Sequence, residues 1–278
     1  MNDLNSLEAR FARLQLAARA EPNPPFELRV RRLKLLERLL RDNADALADA
    51  VRQDFGHRSV AETRLLELFP CYEALSDALS HLRRWMRPQR RRVSVWFQPG
   101  RAEVRHQPLG AVGIIVPWNY PIFLAVAPLV EALAAGNRAL VKMSEFTPTT
   151  TRLFAKLIAC NFAADEVSVV EGDASLAHAF SLLPFDHLLF TGSTPVGHHV
   201  MRAASENLTP VTLELGGKSP AIIGEAANFD KAVERIIVGK TLNAGQTCIA
   251  PDYVLLPAGR EQDFIDTARR VVAKCYPD

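Results

Sequence analysis

From Gly110 onward, short uninterrupted apolar runs alternate with longer stretches of helical periodicity, and this alternation restricts the fold more than any other feature. The apolar runs are residues 112–116, 139–141, 167–170 and 188–190, and the helical stretches are 124–135, 149–162, 176–183 and 196–205. Continuous apolar strands separated by helices are typical of a parallel sheet that helices cover on both faces. The sequence therefore predicts an α/β fold with a Rossmann-like parallel sheet.

Helices are predicted for residues 1–90, ahead of this sheet. Leu33, Leu36 and Leu40 fall on one helical face, and Ser59 with Glu62 forms a capping-box pattern that predicts a further helix start. The period then changes to alternation in residues 93–97 and 102–106, which flank a Pro-Gly turn. This pattern predicts a β-hairpin at about residues 93–106.

Strand and helix signals also follow Ser219, but they are few. A strand at 221–223, a helix at 230–242, a strand at 253–256 and a helix to about 275 are predicted. Two strands with two helices bury little apolar surface by themselves. We therefore expect two domains, residues 1–216 (with the sheet at 107–216) and residues 217–278, the latter being the beginning of a domain whose remainder is absent from this chain.

The charge balance excludes a global field that would attract nucleic acid, since 33 basic residues face 31 acidic ones for a net charge of +2. The arginine-rich run at 83–92 is interpreted as the end of a solvated helix, with a polyanion patch as the alternative. No membrane span, metal site or export signal is predicted, and the four cysteines lack CxxC spacing. We expect reduced thiols and a cytoplasmic location.

Four segments contain residues suited to chemistry, and each has a structural alternative. Cys248, in a glycine-containing loop, is either an activated thiol or a small buried hydrophobe. Glu214, between two leucines and before two glycines, is either a buried general base with a raised pKa or an edge-strand residue that reaches solvent. Asn119, after an apolar run, is either an amide donor at a sheet edge or a turn residue.

The fourth segment joins an apolar run to a helix through Gly192, Ser193 and Gly197. Such a turn presents backbone N–H groups to phosphate, although the GxGxxG spacing is not present. The remaining cysteines, Cys71, Cys160 and Cys275, fall in apolar helical surroundings and are interpreted as packing residues.

Taken together, the motifs PWNYP, Lys-x-Ser-Glu, FTGSTPVG, LELGGKSP and GQTCIAPD resemble the aldehyde dehydrogenase superfamily in order and approximate spacing. The similarity runs from Asp54 to the end of the chain, and LTPVTLELGGKSP and GQTCIAPDYVL are most similar to the coniferyl-aldehyde and fatty-aldehyde dehydrogenase branch.

The resemblance implies a covalent mechanism. Cys248 would attack the aldehyde carbonyl, and Asn119 with the Cys248 N–H would stabilise the oxyanion. Hydride would then pass to the nicotinamide, and Glu214 would activate water to hydrolyse the thioester. The acylating branch usually lacks a glutamate at this position, so Glu214 favours hydrolysis to the acid.

The resemblance also implies NAD as cofactor, with NADP as the alternative. Lys142 and Glu145 would contact the adenosine ribose, Ser193 the pyrophosphate, and Trp118 the nicotinamide end. Met143 replaces the usual proline between Lys142 and the serine. The cofactor-binding set is Trp118, Lys142, Ser144, Glu145, Gly192, Ser193, Gly197 and Leu215.

The expected partners are an aldehyde and a second copy of the chain, since the family dimerises through this hairpin and Val93, Val95, Trp96 and Phe97 make it apolar. Family members extend well beyond this chain's endpoint, so we expect the isolated chain to lack turnover. An inactive nucleotide-binding or assembly module is the alternative. A cofactor-independent cysteine hydrolase is weaker, because no histidine follows His199.

Overall fold

The computed structural model describes residues 2–277, with side chains from residue 6 onward. Residues 1–214 and 215–278 form two compact units, and the division falls inside a strand, between Glu214 and Leu215. The predicted functional domains, divided at residue 216, stay a prediction.

Unit 1 begins with helices, and the apolar helical face predicted from the sequence is buried. The leucine stripe on α2 is fully buried at Leu33, Leu36 and Leu40. Ser59 caps α4 by accepting a hydrogen bond from the N–H of Ala61 at 3.2 Å, and a π-helical turn, Arg64–Leu68, joins α4 to α5. The helices are α1 (Asn2–Ala20), α2 (Phe26–Asp42), α3 (Ala44–Phe55), α4 (Val60–Thr63) and α5 (Phe69–Trp85).

A hairpin follows, but its first strand is not where the alternation placed it. Strand β1 (Gln89–Arg91) pairs antiparallel with β2 (Ala102–Val104), and Val95–Phe97 forms a 3₁₀ turn in the loop between them. The prediction of a strand at 93–97 is therefore wrong. All residues of both strands are exposed, and a ladder that buries neither face leaves no apolar alternation in its sequence.

The five-stranded sheet has the order β5-β4-β3-β6-β7, and the predicted parallel α/β architecture is confirmed. Every residue of β3, β4 and β5 is buried, as continuous apolar strands require. The elements are β3 (Ala111–Ile115), α6 (Phe123–Ala135), β4 (Arg138–Lys142), α7 (Pro148–Asn161), β5 (Val167–Val170), α8 (Ala174–Ser181), β6 (His187–Gly192), α9 (Thr194–Ser205) and β7 (Val211–Leu215).

The strands present alternate residues to two helical layers. Val112, Ile114 and Val141 join the core that contains leucines of α2, α5 and α6. On the other face, the Phe11 ring of α1 packs edge-on against Phe185 with centroids 4.9 Å apart. Both faces of the sheet are therefore covered by helices. Polar ligands can approach at the ends of its strands.

Unit 2 is a small βαβα arrangement. Strands β8 (Ser219–Ile222) and β9 (Pro251–Leu255) pair in parallel and are connected through α10 (Phe229–Thr241), while α11 (Glu261–Cys275) packs on α10. Ile223 and Val233 are buried, whereas Ile222 is 74% exposed and Tyr253 and Leu255 about half exposed. Ile222, Tyr253 and Leu255 therefore leave apolar surface exposed on this unit, whereas Ile223 is covered.

Candidate active site

The strand order marks one edge of the sheet in unit 1 as a candidate ligand site. The direction of progression reverses between β3 and β6, which are parallel neighbours. In open α/β sheets ligands bind outside the carboxyl ends of the strands at such a reversal. The loops that leave β3, β4 and β6 at this edge contain Asn119, Glu145 and Ser193.

The loop after β3 contains Trp118 and Asn119 between two prolines. The Trp118 side chain is exposed, and its ring lies 6.1 Å from that of Phe55. Asn119 is half-buried, and its backbone carbonyl accepts a hydrogen bond from Nη1 of Arg58 at 3.1 Å. The loop is therefore fixed from outside the sheet by the connection that follows α3.

The loop after β4 brings together the predicted ribose-binding residues. Lys142 is buried, and its Nζ lies 3.0 Å from Oε2 of Glu145, whose side chain is one-third exposed. Oγ of Ser144 accepts the N–H of Phe146 at 3.3 Å, and the Ser144 carbonyl accepts the Thr151 hydroxyl at 3.1 Å. Met143 is fully buried in place of the family's proline. The ion pair holds a carboxylate and an ammonium side by side at the edge of the sheet.

The loop after β6 leads directly into the start of a helix. Ser193 is the N-cap residue of α9, it is exposed, and its hydroxyl makes no capping bond to the N–H groups of the first turn. A Cβ on Gly192 would lie 2.4 Å from the Phe190 ring, so only glycine fits there. Gly197 is buried in the first turns of α9. Backbone N–H groups at such a helix start can donate to an anion, and the Lys142–Glu145 pair offers a donor and an acceptor to hydroxyl groups.

Two buried charges beside this edge were missed by the sequence analysis. Arg58 and Glu67 form an ion pair of 3.0 Å between Nη1 and Oε1, with side chains 2% and 0% exposed. The available signal was a glutamate inside the apolar run Leu65-Leu66-Glu67-Leu68-Phe69, because a charge on an apolar helical face is almost always paired. The sequence could not show which residue pairs with it.

In unit 2, Cys248 follows a strained turn. Asn243, Ala244 and Gly245 have φ of 49°, 53° and 78°, a left-handed run that side chains adopt at a cost and that clusters at functional sites. Asn243 is buried, and its Nδ2 donates to the Gln246 carbonyl at 3.3 Å. A Cβ on Gly217 would lie 3.1 Å from the Cys248 carbonyl oxygen, so the Gly-Gly segment passes close to the nucleophile loop.

Glu214 is exposed, which matches the second of the two alternatives given for this residue, an edge-strand glutamate that reaches solvent. Two expectations about burial are wrong, since Cys160 and Cys275 are exposed rather than buried. Each cysteine lies on the outer side of a helix end, where an apolar sequence neighbourhood does not guarantee a packing partner. Cys71 is buried as expected, and burial raises the pKa of its thiol well above the usual range. The Cys248 thiol is exposed, as expected for this chain by itself.

Residues 2–277 contain no cluster of three or more His, Cys, Asp or Glu side chains placed to hold a metal ion. None of the described helices combines the length and the apolar character needed to cross a bilayer.

Comparison with known proteins gives consistent matches. Residues 8–276 match the aldehyde dehydrogenase family. A probable coniferyl aldehyde dehydrogenase of Pseudomonas aeruginosa is 54% identical over 275 residues, which are 99% of this chain and 58% of that protein. The chain thus spans a little over half the length of this relative.

Solved structures agree with the fold. A structure described as the substrate-bound state of Staphylococcus aureus AldH has a TM-score of 0.94 and 35% identity, covering 98% of this chain and 59% of that one. A Mycobacterium tuberculosis aldehyde dehydrogenase complexed with NAD+ has a TM-score of 0.88 and 29% identity, covering 97% and 56%.

The buried carboxyl of Glu67 predicts a pH dependence of stability. Burial raises its pKa to about 7, although Arg58 and two backbone N–H groups act in the opposite direction. An unfolded glutamate titrates near about 4.3, so between these values the folded chain holds the proton more tightly. This contribution is complete below the unfolded pKa and is lost as the pH rises to about 7. We subtract the free energy of unfolding of Glu67→Gln from that of the wild type. We expect this difference to fall as the pH rises from the unfolded pKa to about 7.

Urea titrations at closely spaced pH values would measure this difference. Subtracting the Glu67→Gln values removes other groups, including His187, whose pKa burial lowers. Glu73→Gln, at an exposed position of the same helical region, is the matched control. It should leave the pH dependence of the free energy of unfolding as it is in the wild type. A difference that rises with pH over the window would contradict the assignment.

Proposed function

This chain belongs to the aldehyde dehydrogenase family, and we propose that the complete protein oxidises an aldehyde to its carboxylic acid with NAD+ or NADP+. The observation that carries the proposal is the placement of Asn119, Lys142, Glu145 and Ser193 on loops at the sheet edge where α/β folds bind ligands. In this scheme residues 1–216 bind the cofactor and residues 217–278 begin the catalytic domain, in a protein of the cytoplasm.

The chemistry begins at Cys248. Its thiolate adds to the aldehyde carbonyl and forms a carbon–sulfur bond, and the carbonyl oxygen becomes an oxyanion. The side-chain amide of Asn119 and the N–H of Cys248 stabilise this charge, each donor typically being worth about 3 kcal/mol. NAD(P)+, held by the loops after β4 and β6, would supply the hydride acceptor. Loss of hydride from the former aldehyde carbon would leave a thioester on Cys248.

Glu214 acts in the second half of the reaction. Its carboxylate takes a proton from water, the resulting hydroxide attacks the thioester carbonyl, and the carbon–sulfur bond breaks to release the acid and the Cys248 thiolate. Without a base to activate water, the thioester would persist. Glu214 is therefore needed for steady-state turnover but not for the first hydride transfer.

The cofactor-binding residues divide by the part of the dinucleotide that they serve. Lys142 and Glu145 bind the adenosine ribose, while Ser144 shapes their loop through its hydrogen bonds to Phe146 and Thr151. Ser193 binds the pyrophosphate, and the set also includes Trp118 at the nicotinamide, with Gly192, Gly197 and Leu215. Glu145 disfavours a 2′-phosphate by charge repulsion and so favours NAD, whereas Lys142 beside it permits NADP.

The proposed substrate is an aromatic aldehyde such as coniferyl aldehyde. Its support is the 54% identity to a probable coniferyl aldehyde dehydrogenase. A long-chain aldehyde is the alternative, and relative kcat/KM for the two substrate types would decide between them.

Two substitutions in the complete protein separate the chemical steps. Cys248→Ala should abolish NADH formation because no carbon–sulfur bond can form. Glu214→Gln should give a burst of about one NADH per site and then stall at the thioester, because only hydrolysis is lost. Stopped-flow absorbance and mass spectrometry of the acyl-enzyme would detect both outcomes. Ser219→Ala serves as a control, and normal turnover by Cys248→Ala would refute the mechanism.

The 278-residue chain by itself should bind NAD+ weakly and give negligible turnover. The nucleotide edge is formed within residues 1–214, but the thiol of Cys248 and the carboxylate of Glu214 are both exposed, and a solvated thiol is poorly activated. Calorimetry with NAD+ and an NADH assay would test this. Binding without turnover fits the alternative of a nucleotide-binding module for the isolated chain, and turnover without cofactor would favour a cysteine hydrolase.

The hairpin is proposed to mediate a homodimer of the complete protein. Val95, Trp96 and Phe97 are 75%, 88% and 71% exposed, so within this chain the hairpin does not fold back on its own helices, and such apolar exposure favours association. Val95→Lys/Phe97→Lys should lower the mass measured by light scattering to that of a monomer. Leu16→Lys, exposed on α1, is the matched control. An unchanged dimer mass in the hairpin variant would remove it from the interface.

A further inference from the structure

The helices that precede the sheet place two charges against the loop that follows β3. Arg58 lies between α3 and α4, and Glu67 lies in the π-helical turn between α4 and α5. Both side chains are buried within their ion pair. A buried pair gains little net stability over apolar residues, because removing both charges from water is costly. The effect of the pair is therefore better explained by the backbone groups that it holds in place.

The pair contacts the loop at its middle and at its end. Nη1 of Arg58 donates to the carbonyl oxygen of Asn119 at 3.1 Å. Oε2 of Glu67 accepts the N–H groups of Ile122 at 2.6 Å and Phe123 at 3.1 Å, at the start of α6. The carboxylate thus satisfies backbone donors that a helix start leaves free, in the place where negative charge is favoured.

Aromatic rings hold the guanidinium in its position. The carbon Cζ of Arg58 lies 4.9 Å from the ring centroid of Phe55 and 4.8 Å from that of Tyr120. The adjacent Asp54 accepts the N–H groups of Thr149 and Thr150 at the start of α7. Residues 54–58 therefore contact both the loop after β3 and the helix that follows the cofactor loop after β4.

We propose that Arg58 and Glu67 are positioning residues that fix the Asn119 peptide, and with it the side-chain amide, for oxyanion stabilisation. The inference rests on the proposed function, in which that amide is an oxyanion donor. Fixing the carbonyl of Asn119 and the N–H groups three and four residues later leaves the intervening backbone little freedom. Donors stabilise a transition state only when they are held within a few tenths of an ångström of the required geometry.

A second ion pair provides an internal comparison. Nε of Arg32 lies 3.0 Å from Oε1 of Glu166, with side chains 1% and 12% exposed. Glu166 immediately precedes β5 and its carbonyl accepts the N–H of Ala139, so this pair lies at the amino ends of the strands. It is of the same type as the Arg58–Glu67 pair and nearly as buried, and it lies at the opposite ends of the strands from the Asn119 loop.

A double-mutant cycle in the complete protein tests the proposal. Arg58→Met should lower kcat for aldehyde oxidation by roughly 10- to 100-fold, as small misplacements in an active site do, with KM for NAD+ nearly unchanged. In an Asn119→Ala background the same substitution should lower kcat by less than about 3-fold, because residues that act through one another are not additive. Arg32→Met should leave kcat unaltered in both backgrounds, even if it lowers Tm as much as Arg58→Met does.

Glu67→Gln keeps the inference testable where Arg58→Met does not fold. It preserves shape and one acceptor oxygen, and it should show the same non-additivity with Asn119→Ala at a smaller amplitude. Arg58→Lys, which keeps the charge but lacks the planar guanidinium, should recover part of the lost kcat. Hydrogen exchange gives a readout besides activity: the Ile122 and Phe123 amides should exchange faster in Arg58→Met and Glu67→Gln but not in Arg32→Met.

The outcomes are distinguishable. An equal loss of kcat from Arg58→Met in both backgrounds, or an equal loss from Arg32→Met, would overturn the positioning role while leaving the proposed mechanism intact. Wild-type kcat in Asn119→Ala alone would refute the oxyanion role of Asn119 and overturn both. Loss of kcat confined to the wild-type background, with faster exchange at 122 and 123, would support the inference.

Discussion

The buried parallel pairing around β3 is the constraint from which the site in unit 1 follows. Because β3 is parallel to both β4 and β6, the loops leaving all three strands emerge at one edge. The opposite edge is closed by side chains: Oδ1 of Asn137 accepts the N–H groups of Leu109 and Gly110, and Oδ2 of Asp186 accepts that of Ala111. Buried backbone donors require such partners, and at the carboxyl edge the start of α9 has no side-chain cap from Ser193.

The helices ahead of the sheet do more than cover it. Arg29 is buried, and its Nη1 donates to the carbonyls of Ala134 and Ala135 at the end of α6, which finishes in a left-handed Gly136. Glu67 binds the beginning of the same helix. Both ends of α6 are thus satisfied by side chains from elsewhere in the chain, which fixes the helix along its axis and fixes the loop that leads into it.

In unit 2, the loop that contains Cys248 is constrained by its backbone conformation. The left-handed run at Asn243–Gly245 and the close approach of Gly217 to the Cys248 carbonyl define the loop that contains Cys248. The thiol itself is exposed. The loop has a defined shape, but activation of a thiol also depends on neighbouring groups that stabilise the thiolate.

The sequence by itself determined the parallel sheet, the helices that alternate with its strands and the motifs, because continuous apolar runs and helical periods report burial residue by residue. The strand predicted at 167–170 matches β5, and the predicted helix at 124–135 begins one residue late. Side-chain roles at Cys248, Glu214 and the cofactor loops came from motif resemblance and not from these periods.

Only the tertiary structure decided which polar groups meet. The ion pair between Arg58 and Glu67, the Asp54 contacts to α7, the exposed position of Glu214 and the true first strand of the hairpin depend on residues distant in sequence or on a ladder that buries neither face. A linear pattern records how apolar each position is. It does not record which distant partner satisfies a charge, and that pairing is what holds the Asn119 loop.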